Sequence, residues 1–386
     1  MRSSSATSIG VAVVGTGFIG PVHVEALRRL GHRVVGLLGS SAEKSRAAAD
    51  ALGIPKGYAT FAELLADGEV ASVHLASPNR LHFEQCKLAL AAGKHVVCEK
   101  PLAMTAAETG ELVRLAATTD RIAAVNYNCR FYPSILELRA RVQAGSFGRI
   151  LHIGGSYQQD WLLHDTDYNW RVDATEGGEL RAVADIGTHW LDTAGFVLGD
   201  EPAEVLADLH TVHSIRHRPT GPTETFTGSS GGDRPTVPVP IATDDYGALL
   251  LHYRSGTRGA VQISQVSAGR KNSLRLEIAG TLAGAWWDSE EPNTLHFGHR
   301  GKPNEVLVRD PGLMDASVRP FADYPGGHAE GFPDTFKQLY RAIYADIAAG
   351  HRSAAPLYAT FADGDREVRL CEAILRSHRE RCWIAV

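Results

Sequence analysis

A glycine-rich turn between a short apolar strand and an amphipathic helix constrains the fold of this chain more than any other feature. Residues 9–14 form a β-branched apolar run, and Gly15–Gly20 (GTGFIG) follows it directly. Apolar residues then recur at helical spacing as far as Leu30. The first glycine permits a tight turn, the second lets the backbone approach a pyrophosphate, and the third lets the helix pack closely on the strand. The pattern predicts a dinucleotide-binding unit whose helix N-terminus faces the phosphates.

Strands and helices alternate along the rest of the N-terminal third. This alternation is typical of a parallel, doubly wound sheet, whose ligands bind outside the carboxyl ends of the strands. With 386 residues the chain is too long for one ordinary core, so a second domain is expected. We place a dinucleotide-binding (Rossmann) domain at residues 1–128 and a substrate-binding and oligomerisation domain at residues 129–386. Strands are predicted over 34–38, 70–76, 94–98 and 122–126, and helices over 42–52, 61–65, 83–92 and 104–117.

The end of the second predicted strand bears on which nicotinamide cofactor binds. An acidic residue at this point binds the ribose 2′-hydroxyl of NAD and repels the 2′-phosphate of NADP. Here Gly39 and Ser40 follow the strand, and the first carboxylate is Glu43 on the next helix. Lys44 and Arg46 lie just beyond, either as phosphate ligands or as a solvated helix face. The sequence therefore predicts NAD or NADP as the cofactor and shows no barrier to NADP.

The run from Val96 to Leu102 (VVCEKPL) ends an apolar strand with a charged pair. Pro101 cannot donate a ladder hydrogen bond, so the strand is expected to stop there. Lys100 would then lie at the carboxyl end of a strand, where open α/β sheets place their ligands. The alternative is a strand end with two solvated charges.

A different architecture is predicted after Arg130. Short strands joined by turn residues indicate a large open antiparallel sheet, flanked by helices, in a C-terminal α+β domain. The stretch from Ser214 to Pro240, which contains Gly228–Gly232, is rich in Pro, Thr, Gly and Ser and is interpreted as an exposed, mobile loop. Strands are predicted over 150–157, 205–212, 246–253, 259–265, 273–279, 284–287 and 295–297, and helices over 134–144, 332–349 and 359–378.

Two further stretches carry candidate chemistry. Aromatic and polar residues are dense between Tyr157 and Arg171, and they suit a sugar, whose ring has apolar CH faces and hydroxyl edges. A loop that packs its own aromatic side chains into the core is the alternative. Farther on, Asp185 and His189 share a face if a helix begins near Ile186. Such a pair alone is usually structural, but beside a lysine and a dinucleotide motif it indicates catalysis.

Three runs resemble the glucose–fructose oxidoreductase / inositol dehydrogenase (Gfo/Idh/MocA) family, and the resemblance spans nearly the whole chain. It implies that Lys100 contacts both the substrate hydroxyl and the nicotinamide ribose, and that Asp185 and His189 complete the catalytic group. Three extra residues separate Leu180 from Asp185 as compared with the family's spacing, which leaves the geometry of that loop open. The three runs are Ala76–His82 (ASPNRLH), Ala92–Ala103 (AGKHVVCEKPLA), whose Glu-Lys-Pro segment is the most specific part, and Arg130–Pro133 (RFYP).

These features together predict an oxidoreductase that moves a hydride between a nicotinamide and a carbinol or ketone carbon of a sugar, cyclitol or glycoside. We expect Lys100 to bind the reacting oxygen and His189, oriented by Asp185, to carry the proton. The expected cofactor-binding residues are Gly15, Gly17, Phe18, Ile19, Gly20, Ser40, Ser41, Lys44, Ser77, Pro78, Asn79, His82, Glu99 and Lys100. The expected substrate-binding residues are Lys100, Arg130, Tyr157, Trp161, Tyr168, Trp170, Arg171, Asp185 and His189.

Two other functions fit part of this pattern. An NAD-dependent glycosidase of the same fold would use a transient oxidation and release free sugar without net NADH. A nucleotide-sensing protein would keep the dinucleotide-binding half without turnover, although the joint presence of Lys100, Asp185 and His189 argues against it.

Composition limits the compartment and the partners. The net charge of −5 gives no indication of a nucleic acid or an anionic membrane as partner. Five cysteines without a C-x-x-C pair argue against a disulfide framework or a thiolate zinc site, and fit a reducing cytoplasm. The polar stretch before residue 9 has no apolar core of a signal peptide, and no apolar run is long enough to span a bilayer. We expect a cytoplasmic homo-oligomer, a dimer or tetramer built on the open sheet, with no metal.

Overall fold

The protein is described by a computed structural model over residues 8–220 and 235–386. Its chain forms two compact units, Met1–Asn128 with Pro333–Val368 and Cys129–Phe332 with Arg369–Val386. The functional division after residue 128 stays a prediction. The structure adds that Pro333–Val368 packs with the first unit, although it follows the second in sequence.

The described residues contain the following strands and helices. The strands are β1 (Gly10–Val14), β2 (Arg33–Leu38), β3 (Lys56–Gly57), β4 (Ser72–Leu75), β5 (His95–Cys98), β6 (Ala123–Val125), β7 (Ile150–Gln158), β8 (Pro202–His210), β9 (Ile215–Pro219), β10 (Thr236–Pro240), β11 (Tyr246–Tyr253), β12 (Arg258–Ser264), β13 (Ser273–Gly280), β14 (Gly284–Asp288), β15 (Thr294–Gly298), β16 (Glu305–Val308), β17 (Ala359–Thr360) and β18 (Ile384–Ala385). The α-helices are α1 (Ile19–Arg29), α2 (Ala42–Ala51), α3 (Phe61–Ala66), α4 (His82–Ala91), α5 (Ala106–Ala117), α6 (Pro133–Gln143), α7 (Ala174–Gly177), α8 (Thr188–Leu198), α9 (Phe332–Ala349) and α10 (Phe361–Glu380).

The first unit is built on a sheet of seven described strands in the order β17-β6-β5-β4-β1-β2-β3. Strands β1 to β6 pair in parallel, and the short β17 joins the β6 edge in the antiparallel direction. Strands β1, β4, β5 and β6 are buried along their whole length, as strands covered on both faces must be. The predicted parallel, doubly wound sheet is confirmed. Its strand order reverses between β1 and β4, which is where such sheets bind ligands.

The second unit contains a sheet of nine described strands in the order β16-β15-β14-β13-β7-β12-β11-β8-β18. Its neighbouring strands are antiparallel except for β7 and β12, which run in parallel. Burial alternates along β8, β11 and β12, so one face is covered and the other is open. The predicted open sheet is confirmed. The open face of β12 is mixed in character, because its exposed residues are Arg258, Ala260 and Gln262.

The interpretation of Ser214–Pro240 as a loop is wrong at both of its ends. Strands β9 and β10 pair in an antiparallel ribbon, in which Arg216 lies opposite Val239. The prolines in both strands and the charged residues of β9 are not typical of strands, so the sequence did not indicate them. The guanidinium of Arg216 is fully buried and donates to backbone carbonyls of a neighbouring segment. The predicted Gly228–Gly232 segment lies outside the described residues.

Candidate active site

The glycine-rich turn between β1 and α1 leaves room for a dinucleotide backbone. Gly15 has a φ of +109°, and a Cβ there would collide with the carbonyl oxygen of Ala76. A Cβ on Gly20 would collide with the carbonyl oxygen of Gly15, whereas one on Gly17 would meet no atom within 4 Å. The first turn of α1 contains no acidic residue, and Phe18, half exposed, precedes the helix. These residues fit the pyrophosphate of NAD, since donors and a positive helix end face an open space.

Two exposed serines follow β2, and the second of them caps the next helix. Ser41 is the N-cap of α2, and its hydroxyl accepts the Lys44 backbone N–H at 3.2 Å. Gly39 donates its N–H to the Ser45 hydroxyl at 2.8 Å. The side chain of Ser40 is exposed at the strand end. A 2′-phosphate or 2′-hydroxyl contact in this region therefore falls most naturally to Ser40.

The turn after β4 is tied to the Lys100–Pro101 segment by one buried histidine. His82 is fully buried, with Nδ1 2.7 Å from the Pro101 carbonyl oxygen and Nε2 2.9 Å from the Ser77 carbonyl oxygen. Burial lowers the pKa of His82, although both carbonyls oppose that change. The Ser77 hydroxyl donates to Gln85 at 2.5 Å, and a single 3₁₀ turn begins at Asn79 after Pro78. His82 thus links the predicted cofactor-binding turn to the strand end that carries Lys100.

Glu99 and Lys100 follow β5 directly, at the carboxyl end of the parallel sheet. The backbone N–H of Glu99 continues the ladder by donating to the Leu75 carbonyl at 2.8 Å. Its carboxylate accepts a short hydrogen bond from the Asn126 side chain, and its Oε1 lies 3.0 Å from His23 Nε2. The predicted strand end at Lys100 is therefore present, and the flanking carboxylate is fixed from two sides.

The Asp185 segment is helical earlier than expected. A π-helical turn, Val183–Gly187, precedes α8, whereas the sequence predicted a helix from about Ile186. Asp185 is held by both oxygens: Oδ1 accepts from Arg171 Nε at 3.3 Å and Oδ2 accepts from Gln265 Nε2 at 2.8 Å. π-helical turns accommodate an additional residue, and they are frequent at functional sites.

Four predicted substrate residues come together around Arg171. Its guanidinium carbon lies 4.5 Å from the ring centre of Trp170 and 5.8 Å from that of Trp161, while its Nε reaches Asp185. The stacking on two indoles is a cation–π arrangement. Tyr168 packs, as Trp161 also does, against the small apolar cluster of Leu162, Val172 and Ile241. The Trp161–Trp170–Arg171–Asp185 cluster therefore offers aromatic faces next to a fixed carboxylate.

Other predicted residues have different surroundings. Tyr157 is buried and donates its hydroxyl to Asn272 at 2.7 Å, and burial raises its pKa well above the ordinary value. Its ring centre lies 6.3 Å from that of His189, edge to face. Arg130 is buried and donates to both oxygens of Asp192, at 2.7 and 2.5 Å. A buried bidentate pair of this kind commits two donors of Arg130 to Asp192.

The residues that support Asp185 were not predicted from the sequence. Gln265, directly after β12, links Asp185 to Arg181, whose Nη1 donates to Gln265 at 3.1 Å. Arg181 also donates to Asp245, and Arg216 donates to the same carboxylate at 2.6 Å. No spacing pattern connects these residues, so only their pairing across the sheet could reveal them. Within residues 8–220 and 235–386 there is no group of three His, Cys, Asp or Glu side chains that could hold a metal ion, and no helix both long and apolar enough to cross a membrane.

Comparison with known proteins places this geometry in a family. The model of the oxidoreductase family with an NAD-binding Rossmann fold matches residues 9–127, and that of the GFO/IDH/MocA C-terminal domain matches residues 135–285. Levoglucosan dehydrogenase from Pseudarthrobacter phenanthrenivorans is 27% identical over 396 residues, covering 98% of each chain. Myo-inositol 2-dehydrogenase from Thermotoga maritima is 29% identical over 286 residues, covering 74% of this chain and 77% of its own. The crystal structure of an inositol dehydrogenase homologue complexed with NAD+ from Azotobacter vinelandii has a TM-score of 0.85 and 25% identity, over 99% of this chain and 98% of that one.

The fold and these matches define an NAD-binding oxidoreductase with a Rossmann domain. The chain belongs to the GFO/IDH/MocA oxidoreductase family. The predictions of family, fold, NAD binding and oxidoreductase class are confirmed. The names of the relatives agree with the predicted sugar or cyclitol substrate.

Proposed function

We propose that this oxidoreductase interconverts a secondary alcohol and a ketone on a cyclic sugar, cyclitol or glycoside, with Lys100, Asp185 and His189 as its catalytic group. The observation that carries the proposal is the Trp161–Trp170–Arg171–Asp185 cluster. Two indoles suit the apolar face of a sugar ring, and a fixed carboxylate suits the orientation of a base. The bound nicotinamide supplies the hydride acceptor or donor.

Each catalytic side chain has a distinct task. His189 removes the hydroxyl proton in oxidation and returns it in reduction, because histidine has an ordinary pKa of about 6.5 and changes charge near neutrality. Asp185 orients His189, and the two donors on Asp185 keep the carboxylate from turning away. Lys100 binds the reacting oxygen and favours the negative charge that develops on it. The glycine-rich turn, Ser40 and the Ser77–Asn79 turn hold the cofactor.

A substrate screen tests the proposal. Levoglucosan and myo-inositol, the compounds for which two relatives are named, are offered with NAD and with NADP, and formation of the reduced cofactor is recorded. We expect turnover of at least one cyclic polyol. Free sugar without net NADH would identify a glycosidase instead. Binding of NADH without turnover of any polyol, glycoside or keto sugar would leave the nucleotide-sensing function.

The aromatic cluster has its own test. Trp170→Ala should raise KM for the polyol and leave the cofactor Kd unchanged, because it removes a ring face but no group of the first unit. Trp286→Ala, which removes a partly exposed tryptophan from β14, is the matched control and should leave KM unchanged. An unchanged KM in Trp170→Ala would show that the cluster does not bind the substrate.

The cofactor preference follows from the end of β2. We propose that NADP is accepted at least as well as NAD, because exposed Ser40 occupies the place of the acidic residue that would repel a 2′-phosphate. Lys44 is exposed on the first turn of α2 and adds positive charge nearby.

The open face of the second sheet supports a proposal of homo-oligomerisation. Leu250 is 47% exposed on β11 and lies with Leu206, Ala248 and Ala260 along a shallow pocket of about 800 Å³. A dimer or tetramer would cover these residues. Light scattering at micromolar concentration should give a multiple of the chain mass, and Leu250→Glu should lower it; a monomeric wild type would contradict the proposal.

Five free cysteines support a cytoplasmic location.

A further inference from the structure

Four side chains form a continuous hydrogen-bonded relay inside the first unit: Glu99, His23, His74 and Tyr344. Glu99 Oε1 lies 3.0 Å from His23 Nε2, His23 Nδ1 lies 2.9 Å from His74 Nδ1, and His74 Nε2 lies 2.9 Å from the Tyr344 hydroxyl. They come from four elements, the end of β5, α1, β4 and α9. Both histidines are fully buried and Tyr344 is 3% exposed. His23, His74 and Tyr344 have no part in the catalytic roles proposed above.

With Glu99 ionised and both imidazole rings neutral, the atoms in contact allow a single donor order. A carboxylate only accepts, so His23 must donate from Nε2, and neutral His23 must then accept at Nδ1. His74 therefore donates from Nδ1 and accepts at Nε2 from the Tyr344 hydroxyl. Burial, together with the neighbouring His23, lowers the pKa of His74 well below its ordinary value, which agrees with a neutral ring. Every proton in the relay then points towards Glu99.

Protonation of Glu99 reverses the whole relay. Tyr344 takes one proton from solvent and passes its own to His74 Nε2; His74 passes its Nδ1 proton to His23 Nδ1; His23 passes its Nε2 proton to the Glu99 carboxylate. The carboxylate becomes a carboxylic acid, both histidines change tautomer without gaining charge, and one solvent proton is consumed. The reverse movement returns that proton and restores the first order. Neither ring has to turn.

The far end of the relay is close to solvent. The Tyr344 ring centre lies 4.1 Å from that of His32, and His32 lines a surface pocket of about 350 Å³. Burial lowers the pKa of His32, so its ring is also neutral near pH 7. Within the described residues His32 Nδ1 has no hydrogen-bond partner, which leaves it available to water entering the pocket. The His32 ring therefore contacts the Tyr344 ring and also lines the surface pocket.

The near end of the relay lies at the cofactor edge of the sheet. Glu99 precedes Lys100 after β5, where a sheet of this kind binds its ligand. The oxidised nicotinamide ring is positively charged and the reduced ring is neutral. The Glu99 carboxylate, whose side chain is 13% exposed, is stabilised by the first and loses that stabilisation with the second. The ionisable groups around Glu99 are His23, His82, Cys98, Lys100 and Tyr340.

We propose that Glu99 exchanges one proton with solvent through His23, His74 and Tyr344 as the bound cofactor changes charge. Glu99 is a carboxylate in the NAD+ complex and a carboxylic acid in the NADH complex. During oxidation the alcohol loses a hydride and a proton; Glu99 takes up one proton from solvent, and releases it when NADH is exchanged for NAD+. The inference rests on NAD binding and not on the substrate proposed above.

Proton linkage of cofactor binding tests the exchange without any substrate. Calorimetric titrations with NAD+ and with NADH, in buffers of different ionisation enthalpy, give the protons bound in each case. We expect the protein to take up about one more proton per site when it binds NADH than when it binds NAD+. Glu99→Gln, which keeps an acceptor but cannot ionise, should abolish the difference. Equal proton counts in the wild type between about pH 6 and 8 would overturn the proposal.

A matched pair of tyrosine variants on α9 tests the route. Tyr344→Phe removes the terminal hydroxyl and should slow proton uptake on NADH binding at least tenfold, as followed by a pH indicator in rapid mixing. Tyr340→Phe is the control, because Tyr340 lies one helical turn earlier and packs on both relay histidines, at 5.4 and 4.7 Å between ring centres, without being a link. Equal uptake rates in the two variants would exclude this route.

Nitrogen NMR of labelled histidines examines the unmodified protein. In the NAD+ complex His74 should carry its proton on Nδ1 and His23 on Nε2. In the NADH complex the positions should be reversed. Identical tautomers in both complexes would contradict the proposal, and a purely structural relay would give that result.

Discussion

Arg216 provides a stringent test of how the second unit holds Asp185. Its side chain is fully buried and uses both terminal nitrogens. Nη1 donates to the carbonyls of His164 and Asp167 at 2.8 and 3.0 Å, and Nη2 donates to Leu162 at 3.0 Å and to Asp245 at 2.6 Å. Arg216→Met keeps much of the volume and removes all four hydrogen bonds. The change therefore loosens the 162–167 segment and the charge network that leads to Asp185.

The expected loss of stability follows from the burial of this pair. Removing one partner of a buried ion pair costs about 3–5 kcal/mol. Asp245 keeps Arg181 and the backbone N–H groups of Val212 and His213, so we expect the lower end, about 3 kcal/mol. For a unit of this size that loss corresponds to a fall in Tm of about 6–12 °C. Burial alone would raise the pKa of Asp245, but Arg181, the His213 N–H and Arg216 together lower it, so its folded-state pKa is depressed. Removing Arg216 raises that pKa towards its ordinary value, so the stability difference between wild type and variant should narrow as the pH falls below about 4.

Calorimetry and steady-state kinetics measure the two consequences. Arg218→Met is the control, since Arg218 is exposed on the same strand. Through Arg181 and Gln265 the loss should also displace Asp185 and lower kcat by about tenfold to a hundredfold. If Arg216→Met melted within about 2 °C of the control, the buried network would not stabilise the unit as argued. A lower Tm with unchanged kcat would show that the buried network stabilises the unit but does not position Asp185.

Two further predictions concern the first unit. Ser40→Asp should shift the cofactor preference towards NAD, because a carboxylate at the end of β2 repels the 2′-phosphate of NADP. If the wild-type protein bound NADP more than tenfold more weakly than NAD, a difference of about 1.4 kcal/mol, the proposal that it accepts NADP at least as well as NAD would be wrong. Asp67 accepts from Lys56 at 2.6 Å and from the Tyr58 hydroxyl at 2.8 Å, and chiefly the Lys56 bond lowers its pKa from 3.8 to about 2. Because its folded-state pKa is depressed, ionised Asp67 contributes to the free energy of unfolding. That contribution is complete above about pH 4 and is lost as the pH falls towards 2. Asp67→Asn should flatten the pH dependence of the urea midpoint in that range, and an unchanged slope would count against it.

Local patterns were sufficient to predict most of the first unit. The Gly15–Gly20 turn combines glycine conformations with a following helical repeat, and each is visible within thirty residues of sequence. The strand at Ser72–Leu75 and the end of β5 before Pro101 were likewise marked by their apolar runs and by proline. The return of Pro333–Val368 to the first unit was not predicted, because the pairing of β17 with β6 joins residues far apart in the chain.

The supporting shell of the site could not be predicted for the same reason. Gln265 reaches Asp185 from 80 residues away, and His23 reaches His74 from 51 residues away. Neither pair has a spacing signal. The β9–β10 ribbon was missed because its anchor is a buried arginine and not an apolar alternation. The catalytic candidates themselves could be identified from the sequence, because each lies in a local motif. Their roles stay predictions.

The central claim is that Lys100, Asp185 and His189 act as one catalytic group. The most direct measurement is kcat for His189→Ala, Lys100→Ala and the double variant, with the polyol identified by the screen. We predict that His189→Ala lowers kcat by about 10²–10⁴-fold with little change in cofactor Kd. Lys100→Ala should lower kcat at least as much, and the double variant should lose far less than the product of the two effects. A His189→Ala enzyme that kept more than half of the wild-type kcat would contradict the assignment of His189 as proton carrier.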